Sequence, residues 1–431
     1  MMTFQDRLLR VIPGGSHTYS RGYDQYPANA PQILIRGKGA YVFDQYGNKY
    51  LDYGMALRAV TIGYAEDEID EAAIRQIKNG NNLTRPSLIE LEAAELLVDL
   101  IDSVDMVKFT KNGSTAVSAA VKLARAYTGR ELVARCAEHP FFSYDDWFIA
   151  STQITRGIPQ ETIKKTKLFH YNDILSLERL IAIHPGEFAC VVLEPAATEE
   201  PKDGFLQKVQ EFCRAHGIVL ILDEMITGFR WHIKGAQHVY DVSPDLCTFG
   251  KGMANGFSVA CVAGRREIME LGSIEFDGRE RVFLLSTTHG AEMCGLGAFV
   301  ATASFMQKHM VVEHLWKYGE NLIDIMQRQA EAHRIAHSFK VGGFPCSPNY
   351  LTLDESGVNS LSLRTLFSQE MVRNGVLMPW IALSFRHSEQ ELATTENAIN
   401  KAFAVYRKAL EDGVEKYLEG AVIKPVFRKY N

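Results

Sequence analysis

Two apolar runs without polar alternation dominate the middle of the chain. One is Ile218-Val-Leu-Ile-Leu222, which ends on Asp223-Glu224; the other is Leu246-Cys-Thr-Phe249, which ends on Gly250-Lys251-Gly252. A short run that is apolar on both faces predicts a fully buried strand of a parallel sheet. Around them, Phe188–Glu194 and Ser258–Ala263 read as further strands, and 204–216 as an amphipathic helix. Strands alternating with helices imply right-handed crossovers and a parallel-rich sheet. Ligands in such sheets lie beyond the carboxyl ends of the strands. The pattern therefore brings an acid, Asp223, and an amine, Lys251, to the edge where a ligand would sit.

The flanking pattern is different. Short β-like pieces at Ile33–Arg36, Ala40–Phe43 and Lys49–Asp52 are separated by the turn signals Gly37-Lys-Gly39 and Gln45-Tyr-Gly-Asn48, as in a meander. Helical periodicity follows near 66–79 and 87–102 and covers most of 288–336. From about 337 to the end, short strands mix with an amphipathic helix at 389–411, which predicts a smaller α+β part. Phe109-Thr-Lys-Asn-Gly113-Ser114-Thr115 leads from a strand into a helix with apolar residues at 117, 121 and 124. A glycine and a serine at a helix start make an anion site, because unpaired N–H groups and the helix dipole face the ligand.

Composition narrows the function class. A net charge of -6 over 431 residues gives no electrostatic footprint for nucleic acid or anionic lipid. No apolar run approaches the length of a membrane span, and the N-terminus lacks the apolar core of a secretory signal. The seven cysteines are scattered singly without a CxxC pair, so the expectation is a reducing cytoplasm, with neither a disulfide framework nor a zinc site.

The acid–amine pair suggests specific chemistry. A desolvated lysine amine forms a Schiff base with an aldehyde, and a carboxylate against a ring nitrogen keeps that nitrogen protonated. Together with a phosphate turn at Gly113-Ser114, these are the demands of pyridoxal 5'-phosphate (PLP) on its protein. Taken singly, Asp223-Glu224 reads as a solvated strand end and Lys251 as a surface lysine. It is their joint placement on apolar strand ends that points to a cofactor.

The chain resembles the class III, fold-type I PLP-dependent aminotransferases, and within them the glutamate-1-semialdehyde aminomutase-like subgroup. The resemblance is carried in order by Pro13-Gly-Gly, Gly39–Tyr53, Lys122–Arg130, Leu193-Glu-Pro195, Leu222–Arg230, Pro244-Asp-Leu, Gly250-Lys-Gly252 and Ser286-Thr-Thr-His-Gly290. It implies a mostly parallel sheet with helices on both faces in a large domain, 61–304. A smaller α+β domain would be built from both termini, 1–60 and 305–431. It further implies that Lys251 is the Schiff-base lysine, that Asp223 partners the ring nitrogen, and that Gly113 and Ser114 bind the phosphate. Phe141 would stack on the ring where the family usually carries tyrosine, and Met225 would pack the opposite face. Thr288 would reach the phosphate of a neighbouring subunit, which makes a homodimer with shared sites the expected unit. Arg21 matches the arginine that receives a substrate carboxylate. Glu194 reads equally as a strand-end structural acid and as a neighbour of the cofactor.

The departures bear on substrate. Where the aminomutases carry Gly-Ser-Trp-Gly, this chain has Met55-Ala-Leu57-Arg58, and its 151–167 loop lacks their longer Pro/Ser/Gly run. A mutase must trap its intermediate behind a lid, whereas a transaminase must release one product before the second substrate enters. The expectation is transamination from L-glutamate to the carbonyl of an oxidised sugar or sugar acid, with Arg21 and Arg58 addressing its oxygens. The most specific form is amination of 8-oxo-3,8-dideoxy-octulosonate for lipopolysaccharide, by resemblance to members linked to surface polysaccharide. The alternatives are a glutamate-1-semialdehyde 2,1-aminomutase and a non-catalytic binding paralogue.

Overall fold

The computed structural model describes residues 2–275 and 278–430, and the chain divides into two compact units. One consists of Met1–Glu66 with Glu313–Arg428, and the other of Asp67–Val312 with Lys429–Asn431.

The first unit opens with a helix, Phe4–Val11. Its start is fixed by a capping box in which Thr3 Oγ1 accepts from the Asp6 N–H (3.1 Å) and Asp6 accepts from the Thr3 N–H (2.9 Å). The meander follows as β1 (Leu34–Lys38), β2 (Tyr41–Asp44) and β3 (Lys49–Asp52), paired antiparallel in sequence order. Asp44 shapes the β2–β3 turn by accepting from the N–H groups of Tyr46 (2.9 Å) and Asn48 (2.8 Å).

The second unit is built on a seven-stranded sheet. Its members are β4 (Met106–Thr110), β5 (Leu132–Cys136), β6 (Thr166–Phe169), β7 (Phe188–Leu193), β8 (Val219–Asp223), β9 (Leu246–Phe249) and β10 (Ala260–Gly264). The spatial order is β4-β10-β9-β8-β7-β5-β6, with β10 antiparallel to both neighbours and every other pairing parallel. All residues of β5, β7, β8, β9 and β10 are buried, Arg135 of β5 and Thr248 of β9 included. The helices Gly113–Thr128 and Phe205–His216 each bury an apolar stripe. The pattern does not announce β5 and β6.

The first unit resumes with β11 (Phe339–Phe344) and β12 (Ser347–Thr352), an antiparallel hairpin, and β13 (Val376–Leu377), which adds to β3 in parallel. The helix Leu361–Arg373, also unannounced by the pattern, precedes β13, and the amphipathic helix Glu389–Asp412 follows it. Phe339, Phe367, Phe403 and Tyr406 form an aromatic centre with ring centroids 4.7 to 6.4 Å apart. No helix among the described residues is long and apolar enough to cross a membrane, and all seven cysteines are free thiols.

Candidate active site

Asp223 closes β8 at its carboxyl end and is 2% exposed. Its Oδ1 accepts from the Met225 N–H (2.9 Å) and from Thr248 Oγ1 (3.3 Å), while among the described residues no such bond ends on Oδ2. Burial raises its pKa to about 6, opposed by the charge of Lys251. The neighbouring acid is different. Glu224 is fully engaged by Thr227 Oγ1 and by the N–H groups of Ala236 (2.9 Å) and Gln237 (2.8 Å), so it braces the following turn. Of the two acids read from the sequence, only Asp223 presents an oxygen for a ring nitrogen.

Lys251 follows β9 at the start of a tight turn, Lys251–Ala254, with φ of 47°, a left-handed value uncommon for a side-chain-bearing residue. Met225 lies between it and the phosphate turn. A Cβ placed on Gly113 would come within 2.8 Å of Met225 Sδ, and one on Gly250 within 2.7 Å. A side chain at either glycine would therefore have to displace this methionine, which packs with Ala116 and Ala260.

The helix Gly113–Thr128 is capped by Asn112, whose Oδ1 accepts from the Thr115 N–H (2.9 Å). The N–H groups of Gly113 and Ser114 precede it in the orphan first turn, the arrangement that holds a phosphate. Ser114 Oγ accepts from the Tyr144 N–H (3.2 Å), and Ser118 binds both Ser143 (3.0 Å) and Trp147 Nε1 (2.8 Å). These bonds tie the 141–147 segment to the helix. Within it Phe142 is 2% exposed but Phe141 is 45% exposed, its ring edge-on to Phe148 at 5.7 Å. Phe141 is thus the ring available to a ligand.

Glu194 follows β7 and is buried. Its N–H donates to Nδ1 of the buried His139 (2.9 Å), and burial lowers that imidazole to about 4, so His139 is a neutral acceptor and scaffold. Thr288 is exposed on the 286–290 loop, and its carbonyl accepts from Asn82 Nδ2 (3.0 Å). Two residues past that loop, Glu292, at the start of the helix Met293–Lys308, pairs with Lys111 at 2.7 Å. Sequence reasoning passed over Thr248 and Asn112, whereas His139 reads from the sequence as hydrogen-bonded scaffold, the part it plays here. Asn112 was legible as a capping residue before Gly113, whereas Thr248 lay hidden inside an apolar run.

Arg21 and Arg58 belong to the other unit. Arg21, exposed on a turn at Tyr19–Arg21, lines a cavity of about 970 Å³ together with Asp52, Leu57, Tyr64 and Trp380. Arg58 is half-buried beside it in sequence but does not line that cavity. Residues 55–58 form a left-handed turn, with φ of 39°, 49°, 65° and 67° at Met55, Ala56, Leu57 and Arg58. The buried carboxylate of Asp52 enforces it by accepting from the N–H groups of Gly54 (2.7 Å) and Met55 (3.0 Å) and from the Tyr64 hydroxyl (2.6 Å). That hydroxyl in turn accepts from the Ala56 N–H (2.9 Å). Each non-glycine residue in this conformation costs on the order of 1–2 kcal/mol. Leu57→Gly is accordingly expected to stabilise the protein by about 1 kcal/mol, read as a higher midpoint in thermal unfolding. An unchanged or lower midpoint would show that the Leu57 side chain contributes more than its strain costs.

Among the described residues no group of three or more His, Cys, Asp or Glu is arranged to hold a metal ion. The donors fit PLP instead: an open carboxylate oxygen, a lysine amine, a helix-start anion cradle and an exposed aromatic ring.

Comparison with known proteins agrees. The family model "Aminotransferase class-III" matches residues 22–378. A 3-aminobutyryl-CoA aminotransferase from Cloacimonas acidaminovorans (strain Evry) is 32% identical, over 95% of this chain and 98% of its own. A glutamate-1-semialdehyde 2,1-aminomutase from Francisella philomiragia subsp. philomiragia is 30% identical, over 92% and 96%. Among solved structures, an omega-transaminase from Sphaerobacter thermophilus superposes with a TM-score of 0.84 at 28% identity, covering 94% of this chain and 97% of that one. The FumI protein of Sphingopyxis sp. MTA144, in its PLP internal aldimine form, gives 0.86 at 25%, covering 95% and 97%. The chain belongs to the class-III aminotransferases: it is a PLP-dependent transaminase of fold type I, acting on an amino donor and a carbonyl acceptor.

Proposed function

We propose that this transaminase takes its amino group from L-glutamate and delivers it to the carbonyl of an oxidised sugar or sugar acid. The most specific acceptor is 8-oxo-3,8-dideoxy-octulosonate, for lipopolysaccharide made from the cytoplasmic side. The observation that carries the sugar-acid reading is the cavity around Arg21. At about 970 Å³ it lies at the upper end of small-molecule sites, roughly 300–1,000 Å³, and is wider than a five-carbon semialdehyde fills. Its guanidinium suits a carboxylate, and Tyr23, Tyr26 and Gln32 on the same wall suit hydroxyl groups.

PLP, when bound, supplies the electron sink that stabilises negative charge at the substrate carbon. The residues divide the remaining work. The Lys251 amine would hold the cofactor covalently and, when free, would carry a proton to and from the substrate carbon. Asp223, through Oδ2, would keep a proton on the ring nitrogen. The N–H groups of Gly113 and Ser114 would hold the phosphate, Phe141 and Met225 would bound the ring's site, and Glu194 would brace the strand end beside it. The exposed Thr288 is offered to a second copy of the chain in a homodimer, and Arg58 to the substrate's outer oxygens.

One assay tests the reading. Supplied with glutamate and a carbonyl sugar acid, the enzyme is expected to form 2-oxoglutarate and aminated sugar in equal amounts. Turnover of glutamate-1-semialdehyde alone, with no external donor, would establish the mutase reading favoured by the Francisella relative. Failure of every donor to react would leave only a binding role, against which stand both Lys251 and Asp223.

A further inference from the structure

After the helix Glu389–Asp412 the chain continues as a largely irregular strap along the smaller unit. Side chains fasten it at both ends. Gln369 donates from Nε2 to the Tyr417 carbonyl (2.9 Å) and accepts from the Glu419 N–H (2.9 Å), while Thr365 Oγ1 accepts from the Ile423 N–H (3.0 Å). At Lys424 the strap meets the N-terminal loop that carries Arg21. The Lys424 N–H donates to the Asp24 carbonyl (2.9 Å), Gln25 Nε2 donates to the Lys424 carbonyl (2.9 Å), and Arg428 pairs with the Asp24 carboxylate at 2.6 Å. Ala421–Lys424 line the same cavity as Arg21.

The cavity's charges are unequal in what they leave open. Asp24 is engaged by Arg428, and Asp52 by Gly54, Met55 and Tyr64. Arg36 lies flat over Phe43, 3.5 Å from its centroid. The side chains of Arg21 and Lys424 are both exposed and have no hydrogen-bond or ion-pair partner among the described residues. Two uncommitted cations on one cavity, whose acids are already engaged by Arg428, backbone N–H groups and Tyr64, favour a ligand with more than one negative group.

We propose that the strap Tyr417–Arg428 is a specificity element of the substrate cavity. It fixes the Arg21 loop and contributes Lys424 as a second anion contact, so that acids with two anionic groups, glutamate among them, are selected over monocarboxylates. The inference rests on the reading that Arg21 receives a substrate carboxylate; it does not depend on the acceptor's identity.

Titration calorimetry of the PLP-loaded enzyme with glutarate and with valerate, five-carbon acids differing by one carboxylate, provides the test. Wild type is expected to prefer glutarate. Lys424→Gln, at an exposed side chain, is expected to weaken glutarate about tenfold and leave valerate unchanged. Arg428→Ala, which loosens the strap, is expected to weaken both acids and to open the tail to limited proteolysis. Equal binding of the two acids by wild type, no measurable binding of either, or an equal effect of Lys424→Gln on both overturns the proposal. A glutarate preference that holds while no sugar acid is aminated would reject the acceptor assignment and keep the strap.

Discussion

Lys251→Ala is expected to abolish transamination, lowering kcat by roughly 10⁴-fold or more, because one side chain serves both as covalent anchor and as proton carrier. The fold is expected to survive. Lys251 is half-buried, and the strands on either side of it are held by ladder bonds that do not involve its side chain. Two physical readouts separate loss of chemistry from loss of structure. Thermal unfolding of the cofactor-free variant should match wild type, and borohydride treatment of the loaded variant should no longer leave cofactor mass on the chain. Activity within about tenfold of wild type would show that another amine does this work.

Asp223→Asn is expected to lower kcat by about 10²–10³-fold, since a neutral amide has no charge with which to hold the ring proton. A pH signature accompanies it. Burial raises the Asp223 carboxyl from 3.8 to about 6. Between those values the folded protein holds a proton that the unfolded chain has released. The stability linked to that proton is fully present below the lower value and is lost as pH rises through the higher one. The cofactor-free wild type should therefore gain stability relative to Asp223→Asn on going from about pH 7 to about pH 5, as followed by calorimetric unfolding. With PLP bound, the ring proton favours the carboxylate and the difference should shrink. Parallel pH profiles for the cofactor-free wild type and variant would show that burial does not raise the Asp223 carboxyl.

In the seven-stranded sheet the strands legible in the sequence were mostly the near-continuous apolar, buried runs, while β1–β3 were announced by the turn signals between them. β8 and β9 announced themselves, and with them Asp223 and Lys251 at their ends. β5 did not, because Arg135 interrupts its run. In the fold that arginine is buried, its guanidinium donating to Ser151 Oγ (2.8 Å) and to the carbonyls of Cys136 (2.9 Å) and Ser151 (3.1 Å). A charge satisfied by the adjacent Cys136 carbonyl and by Ser151, 16 residues on, leaves no periodic trace. β6 is only four residues long and carries Lys167. The strand read as Ser258–Ala263 starts at Ala260, and the one read as Ile33–Arg36 runs from Leu34 to Lys38, shifts of the size that frayed ends produce. The left-handed turn at 55–58 was also illegible. Met-Ala-Leu-Arg carries no local preference for it, and the cause, the buried Asp52 and Tyr64, is supplied by packing.

The reversal of β10 has a consequence for how the catalytic lysine reaches its place. Every parallel pairing in this sheet waits for a long crossover to close, but β9 and β10 are joined by Gly250–Val259 alone, and Phe249 pairs directly with Cys261. Closing so short a loop has a small entropic cost, and such contacts form early relative to distant ones. Lys251 sits at the start of that loop, directly after β9. The anchor residue is therefore positioned by a contact local in sequence, whereas the acid on β8 and the cradle before Ser114 reach it only through longer connections.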